Sequence, residues 1–104
     1  MKLREIAHSR TGDKGNISTI SVIAYRIEDY ELLCQKLTPE AVLRQFSALG
    51  ATKVERYELP QLGALNFVLH DALDGSVTKS LRLDTHGKSL SSLMLEMDLK
   101  EGKT

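Results

Sequence analysis

Polar and apolar positions follow two periods along this chain, and the change between them predicts where strands give way to helices. Residues 2–7 alternate, and residues 17–25 are apolar and rich in β-branched side chains, so a short strand followed by a central strand is predicted. Residues 8–16 between these strands are polar and contain two glycines, which predicts a loop. This loop would be longer than the roughly two to five residues that are usual in a hairpin.

Two helices are predicted next. Apolar residues at helical spacing in 28–37 indicate the first helix. Thr38 and Pro39 suit the cap and the first position of the second, which is expected to end at Gly50.

The segment 62–73 fits both periods. Positions 65, 67 and 69 suit a strand, whereas apolar residues also recur at helical spacing across the whole segment. We predict a helix because the segment is long and a turn sequence closes it. A strand is predicted at 53–59, with a possible bulge, and Pro60 ends it. The remaining predicted elements are a strand at 77–83, a turn at 84–87, a last helix at 89–99 and a frayed tail at 100–104.

Together these elements predict a single α+β domain that occupies residues 1–104. About four strands would form one sheet, covered mainly on one face by three to four helices.

Charge and cysteine content narrow the classes of function. Lys and Arg number 14 and Asp and Glu also number 14, so the formal net charge is zero. Nucleic-acid binders normally carry a basic excess, so we expect no nucleic-acid partner, and a membrane-surface role is disfavoured too. The sequence has neither an apolar membrane span nor the apolar core of a signal peptide, so a cytoplasmic location is expected. The single cysteine, Cys34, excludes an internal disulfide.

The polar segment Arg10–Asn16 is the strongest candidate for specific chemistry. Its two glycines permit close backbone approach, so that amide groups could converge on an anion. Arg10 can bind a carboxylate or phosphate through two parallel hydrogen bonds, Lys14 adds a positive charge, and Asp13 could orient either cation. We therefore predict an anion-binding loop formed by Arg10, Gly12, Asp13, Lys14, Gly15 and Asn16.

Two other interpretations of this segment remain open. Gly, Asp and Asn are ordinary turn residues, so composition supports a purely structural connection about equally well. The stretch from Gly12 to Gly15 also matches the Gly-x-x-Gly loop of KH RNA-binding domains. That loop precedes a helix, however, whereas residues 17–25 predict a strand.

Other candidates lie outside this segment. His8 borders it and is well placed for proton transfer, so His8 and Asp13 are the candidate catalytic residues. Asn66 and His70 are four residues apart and would share a face of the predicted helix, where they could contact a ligand. His8, His70 and His86 lack metal-ligand spacing, so neither a metal site nor a cofactor is predicted.

Several stretches together resemble one family. Arg10-Thr-Gly-Asp-Lys-Gly-Asn16, followed by a β-rich run, is similar to the Arg-Ser-Gly-Asp-Lys-Gly-Asp/Asn signature in the C-terminal region of acyclic terpene utilisation (AtuA-type) proteins. Tyr57-Glu-Leu-Pro-Gln-Leu-Gly-Ala-Leu-Asn-Phe-Val-Leu-His70 and Thr78-Lys-Ser-Leu-Arg-Leu-Asp84, with Gly87-Lys88, are similar to the same region. The resemblance extends from about His8 to Met97, and Thr11 keeps the hydroxyl of the family's serine.

This resemblance implies a ferredoxin-like α+β fold, a two-layer sandwich. In the longer relatives the module follows a large N-terminal domain, so a separate small subunit or an independent domain is implied here. The family is associated with terpene degradation through acyl-CoA-type intermediates. We therefore expect an accessory or small subunit of an AtuA-like complex, acting in the catabolism of an acyclic or branched carboxylated or acyl-CoA-type small molecule.

The partners expected on this basis are a large AtuA-like subunit or further copies of the same chain, together with an anionic small molecule. Two alternatives remain. One is a stand-alone small enzyme that uses Asp13 or His8 as acid or base, and the other is a purely structural assembly module.

Overall fold

The computed structural model describes residues 1–14, 17–71 and 90–99. Within these residues four strands form one antiparallel sheet, and three α-helices pack against it. The strands are β1 (Ala7–Lys14), β2 (Ile17–Ala24), β3 (Lys53–Leu59) and β4 (Ala64–His70), and the helices are α1 (Tyr30–Lys36), α2 (Pro39–Phe46) and α3 (Leu90–Leu95). Short 3₁₀ turns lie at Leu3–Glu5, Ile27–Asp29, Ser47–Leu49 and Pro60–Leu62.

The helices cover one face of the sheet. The strand order is β1-β2-β4-β3, and burial alternates along the central strands β2 and β4. The buried positions of one face meet the buried side chains of the helices in a single core, which includes Ile20, Val22, Leu33, Val42, Phe46, Leu65, Phe67, Leu69, Leu90 and Met94. The predicted α+β fold, with a four-stranded sheet covered on one face, is confirmed.

The start of α2 follows the sequence prediction. The Thr38 hydroxyl accepts a 3.1 Å hydrogen bond from the Ala41 amide, and Pro39 occupies the first helical position. After the helix and its 3₁₀ turn, Gly50 adopts a φ of 97°, a left-handed conformation that favours glycine. Local signals therefore determine both ends of this segment.

Arg56 of β3 binds the C-terminal end of α1. Its Nη1 donates hydrogen bonds of 2.8 Å to the Cys34 carbonyl and 3.1 Å to the Leu37 carbonyl, while Nη2 bonds to Glu58 at 2.9 Å. A cation at this end of a helix satisfies carbonyls that lack intrahelical partners and complements the helix dipole. The contact ties β3 to the helix layer.

The predicted strand at 2–7 is wrong, and so is the loop predicted at 8–16 over residues 8–14, the part of it that the structure describes before β2. Leu3–Glu5 forms a 3₁₀ turn, and the strand begins at Ala7 and continues to Lys14. Within the described residues β1 has only β2 as a neighbour strand, and residues 10–12 are exposed. A strand that buries so few side chains has no hydrophobic period by which it could be recognised.

The predicted helix at 62–73 is also wrong. Ala64–His70 is a strand that lies between β2 and β3 and pairs with both. Leu62, which completed the helical spacing in the sequence, is exposed and precedes the strand. The pairing of β3 with β4 is continuous from Lys53–His70 to Leu59–Ala64, so β3 contains no bulge.

The last helix is shorter than predicted. It ends at Leu95, and the chain then runs beside residues 1–3, where the Leu3 amide donates to the Met97 carbonyl at 2.9 Å and the Leu99 amide to the Met1 carbonyl at 2.7 Å. These long-range hydrogen bonds replace the helical ones. Some predictions lie outside the described residues. They are the strand at 77–83, the turn at 84–87, the residue expected to start the last helix and the tail at 100–104.

Candidate functional site

The sheet face turned away from the helices, here called the open face, carries the candidate chemistry. Successive side chains of a strand point to opposite faces, so the positions that alternate with the buried ones belong to it. Ser9 marks the other face of β1, because its hydroxyl donates a 3.2 Å hydrogen bond to the Ser91 carbonyl of α3. The open face consists of His8, Arg10 and Gly12 of β1, Ile17, Thr19, Ser21 and Ile23 of β2, Lys53, Glu55, Tyr57 and Leu59 of β3, and Ala64, Asn66, Val68 and His70 of β4.

Arg10, Ser21 and Asn66 form one row across this face. The strand register pairs Arg10 with Ser21 and Ser21 with Asn66. The Ser21 hydroxyl donates a 2.8 Å hydrogen bond to Asn66 Oδ1, which leaves the amide NH₂ of Asn66 to donate elsewhere. Adjacent strands are about 4.8 Å apart, so the backbones of Arg10 and Asn66 are separated by roughly 10 Å, within reach of an arginine side chain.

Glu55 lies at the centre of a second polar group on the open face. Its carboxylate is 3.2 Å from Lys53 Nζ, accepts a 3.1 Å hydrogen bond from the Tyr57 hydroxyl, and is 3.7 Å from His70 Nε2. Hydrogen bonds from Lys53 and Tyr57 hold the pKa of Glu55 below its usual value, and the bond to Glu55 raises the pKa of Tyr57. The Nε2 atom of His70 is buried and has no hydrogen-bond partner within the described structure.

His8 lies on the open face rather than in a loop. Its ring stacks on that of Tyr25, with 5.3 Å between centroids and 25° between planes. His8 is opposite Ile23 in the register and two positions from Arg10 on the same strand. The imidazole is therefore held beside the Arg10 row by an aromatic neighbour.

The other residues of the predicted anion loop are placed differently. Gly12, Asp13 and Lys14 belong to β1 and pair with residues 17–19 of β2, while residues 15–16 lie outside the described structure. Successive amides of a strand point to alternate sides. The backbone amides of residues 10–14 therefore do not converge on one point, and the anion-binding loop stays a prediction because residues 15–16 lie outside the described structure.

Asn66 and His70 share a face, although they lie on a strand and not on a helix, because positions four apart are on the same side of either element. Ser21, Glu55 and Tyr57 were not identified from the sequence. Ser21 lies within a correctly predicted strand, but its pairing with Asn66 depends on the register, for which the sequence carries no local signal.

The described residues contain no group of three or more His, Cys, Asp and Glu side chains that could hold a metal ion. Glu55 and His70 are close enough to act together, but only as a pair. Of the helices in the described ranges, none has the length and apolar character needed to cross a membrane.

Comparison with known proteins identifies one family. Residues 1–100 match the model of the AtuA ferredoxin-like domain, a range that includes every strand and helix described above. No curated protein and no solved structure matches the chain. The resemblance seen in the sequence is confirmed, and so is the ferredoxin-like α+β fold that it implies.

Proposed function

Because the chain belongs to the AtuA ferredoxin-like domain family, we propose that it is an accessory or small subunit of an AtuA-like complex. In this role it assists the catabolism of an acyclic or branched carboxylated or acyl-CoA-type small molecule. The Arg10 row on the open face binds an anionic group, which belongs either to that molecule or to the large subunit.

The row itself is the observation that carries the proposal. A guanidinium and an amide NH₂ lie on the same face, one on each side of Ser21. Arg10 is exposed, and no carboxylate among the side chains that the structure describes forms an ion pair with it. An arginine with its donors available, next to an amide, suits the oxygen atoms of a carboxylate, a phosphate or an acyl carbonyl.

The surroundings of the row favour a ligand with an apolar part. Ile17, Ile23 and Val68 are half-buried on the same face. When such side chains are covered, they exclude water from a nearby ion pair and strengthen it. An anionic head group on a branched apolar body is complementary to this combination.

A stand-alone enzyme is the second candidate, and the position of His8 is the observation that favours it. A base two positions from Arg10 on the same face could move a proton on a molecule whose anionic group Arg10 holds. Of the two candidate catalytic residues, His8 is the one that the structure describes on the same face as Arg10. A purely structural assembly module is the third candidate, in which the same row contacts another subunit without any chemistry.

Binding to the large AtuA-like protein of the same genome tests the proposal. The full chain and the variants Arg10→Ala and Arg44→Ala would be titrated with that protein by calorimetry. Arg44 is a matched control because it is an exposed arginine on α2, on the helix side of the sheet. We expect Arg10→Ala to weaken binding about tenfold or more and Arg44→Ala to change it less than about twofold.

Two results would contradict this role. One is a wild-type chain that does not bind the large protein, and the other is equal binding by the Arg10→Ala variant. Turnover of a branched carboxylic acid or its CoA ester by the chain alone would point to the second candidate instead. Such turnover, if His8→Gln abolishes it, would establish that the chain is a stand-alone enzyme.

A further inference from the structure

A cluster of exposed apolar side chains lies at the end of the sheet where β2 and β3 finish. Leu62 is 66% exposed, Tyr25 63% and Ile27 60%, and Tyr57 and Leu59 are exposed as well. These five residues, here called the end patch, are all but one of the large hydrophobic residues that are exposed in the described structure. An apolar surface concentrated in one place, rather than scattered, indicates an interaction site.

The members of the end patch surround the start of β4. Ile27 packs against Gly63, where a Cβ atom would lie 2.8 Å from Ile27 Cδ1. Leu62 precedes Gly63 in the chain, and Leu59 is paired with Ala64, the first residue of β4. Ile27, Leu59 and Leu62 therefore all lie beside Gly63 and Ala64, where β4 begins.

Charged residues beside the end patch are neutralised within the chain. Arg26 is 3.7 Å from Glu28, and Arg56 is 2.9 Å from Glu58. The whole chain also has a formal net charge of zero. A partner selected by charge would need an excess of one sign at this rim, so the partner must be recognised by its apolar surface.

The shape of the end patch supplies such a surface. An open hollow of about 310 Å³, lined by residues 58–62, adjoins the exposed side chain of Leu62. A surface that carries both a hollow and projecting side chains can meet its own copy across a two-fold axis, with each projection filling the other's hollow. The five side chains expose on the order of 500 Å², a large part of the roughly 800 Å² per partner in a standard stable interface.

We propose that two copies of this chain form a symmetric dimer through the end patch. Tyr25, Ile27 and Leu62 form the centre of the interface, and the internally paired charges lie at its rim. This inference goes beyond the proposed function, because the centre of the dimer contact is at the end of the sheet and does not include Arg10. Of the patch residues, Tyr57 borders the Arg10 row, since it is paired with Asn66.

Sedimentation equilibrium of the full chain, from about 1 to 300 µM, tests the dimer. We expect the wild-type mass to approach twice the 11.6 kDa of one chain. Leu62→Glu and, independently, Tyr25→Glu are expected to give the mass of one chain with an unchanged far-ultraviolet circular dichroism spectrum. The matched control is Ala48→Glu, which places the same charge at an exposed position in the 3₁₀ turn between α2 and the start of β3 and should leave the dimer intact.

A wild-type chain that stays monomeric at about 300 µM would overturn the proposal, and so would two folded patch variants that remain dimeric. If the wild-type chain is monomeric and the patch variants lose binding to the large AtuA-like protein, the end patch is the contact surface for that protein instead. Arg10→Ala is expected to remain dimeric even where it loses the large protein. Failure of the dimer and failure of the proposed function are thus distinguishable.

Discussion

The Ser21 hydroxyl and Asn66 Oδ1 are joined by a 2.8 Å hydrogen bond that crosses from β2 to β4 on the open face. This bond occupies the oxygen of the Asn66 amide and leaves its NH₂ group to donate elsewhere. Asn66 therefore contributes to the fold through its oxygen and to the candidate site through its nitrogen, and substitutions can separate the two contributions.

Asn66→Asp keeps an acceptor for Ser21 but adds a negative charge beside Arg10. We expect the free energy of unfolding to change by less than about 1 kcal/mol and the affinity for an anionic partner to fall about tenfold. Ser21→Ala removes the hydrogen bond and should lower stability by about 1 kcal/mol. Urea denaturation and calorimetric titration measure the two effects, and unchanged binding by Asn66→Asp would exclude Asn66 from the site.

Arg56→Met is expected to destabilise the fold by about 1–3 kcal/mol, because it removes the donors to the Cys34 and Leu37 carbonyls at the end of α1. The arginine side chain is only 18% exposed, so water replaces these bonds poorly. Glu58→Gln keeps a partner for Arg56 and should cost much less. Equal midpoints for the two variants in urea would show that the helix contact contributes nothing.

Thr38→Ala removes the hydroxyl that accepts the Ala41 amide at the start of α2. A lost cap of this kind typically lowers the free energy of unfolding by about 1 kcal/mol, and Thr38→Ser should retain most of it. Chemical denaturation of the three proteins checks the order of stability. A serine variant as unstable as the alanine variant would argue against the cap.

Glu55 gives the fold a dependence on pH. The hydrogen bond from Lys53, and to a smaller extent that from Tyr57, lowers the pKa of Glu55 in the folded chain. The ionised Glu55 therefore stabilises the fold at pH values above its unfolded pKa. This stabilisation is lost as the pH falls through the folded pKa. Lys53→Met and Tyr57→Phe should each raise the pKa of Glu55, with the larger effect from Lys53. Carboxyl carbon shifts followed by NMR report it directly, and titration curves that match the wild type would refute the assignment.

The parts of the fold that were predicted correctly depend on nearby residues. Thr38, Pro39 and Gly50 define α2 and its end without reference to the rest of the chain. β1 and β4 are different, because β1 is polar and β4 has apolar residues at both spacings. Their partners, distant in sequence, determine their structure.

The candidate site likewise contains one feature that the sequence predicts and one that it does not. Arg10 could be identified from the chemistry of its side chain and from the family signature in which it lies. The position of Arg10 across from Asn66 could not be predicted, because the two residues are far apart in sequence. They come onto one row only through the register of β1, β2 and β4. A shift of one residue in that register would place them on opposite faces.

Recognition of an anionic group by Arg10 and Asn66 is tested most directly by NMR on the isotopically labelled full chain. It would be titrated with isovalerate, a branched carboxylate, and with isovaleramide, its neutral analogue. We predict that isovalerate shifts the side-chain NH₂ signals of Asn66 and the Nε–H signal of Arg10 with a millimolar dissociation constant, whereas isovaleramide does not. Equal shifts with both compounds, or no shift with isovalerate up to about 50 mM, would contradict the account.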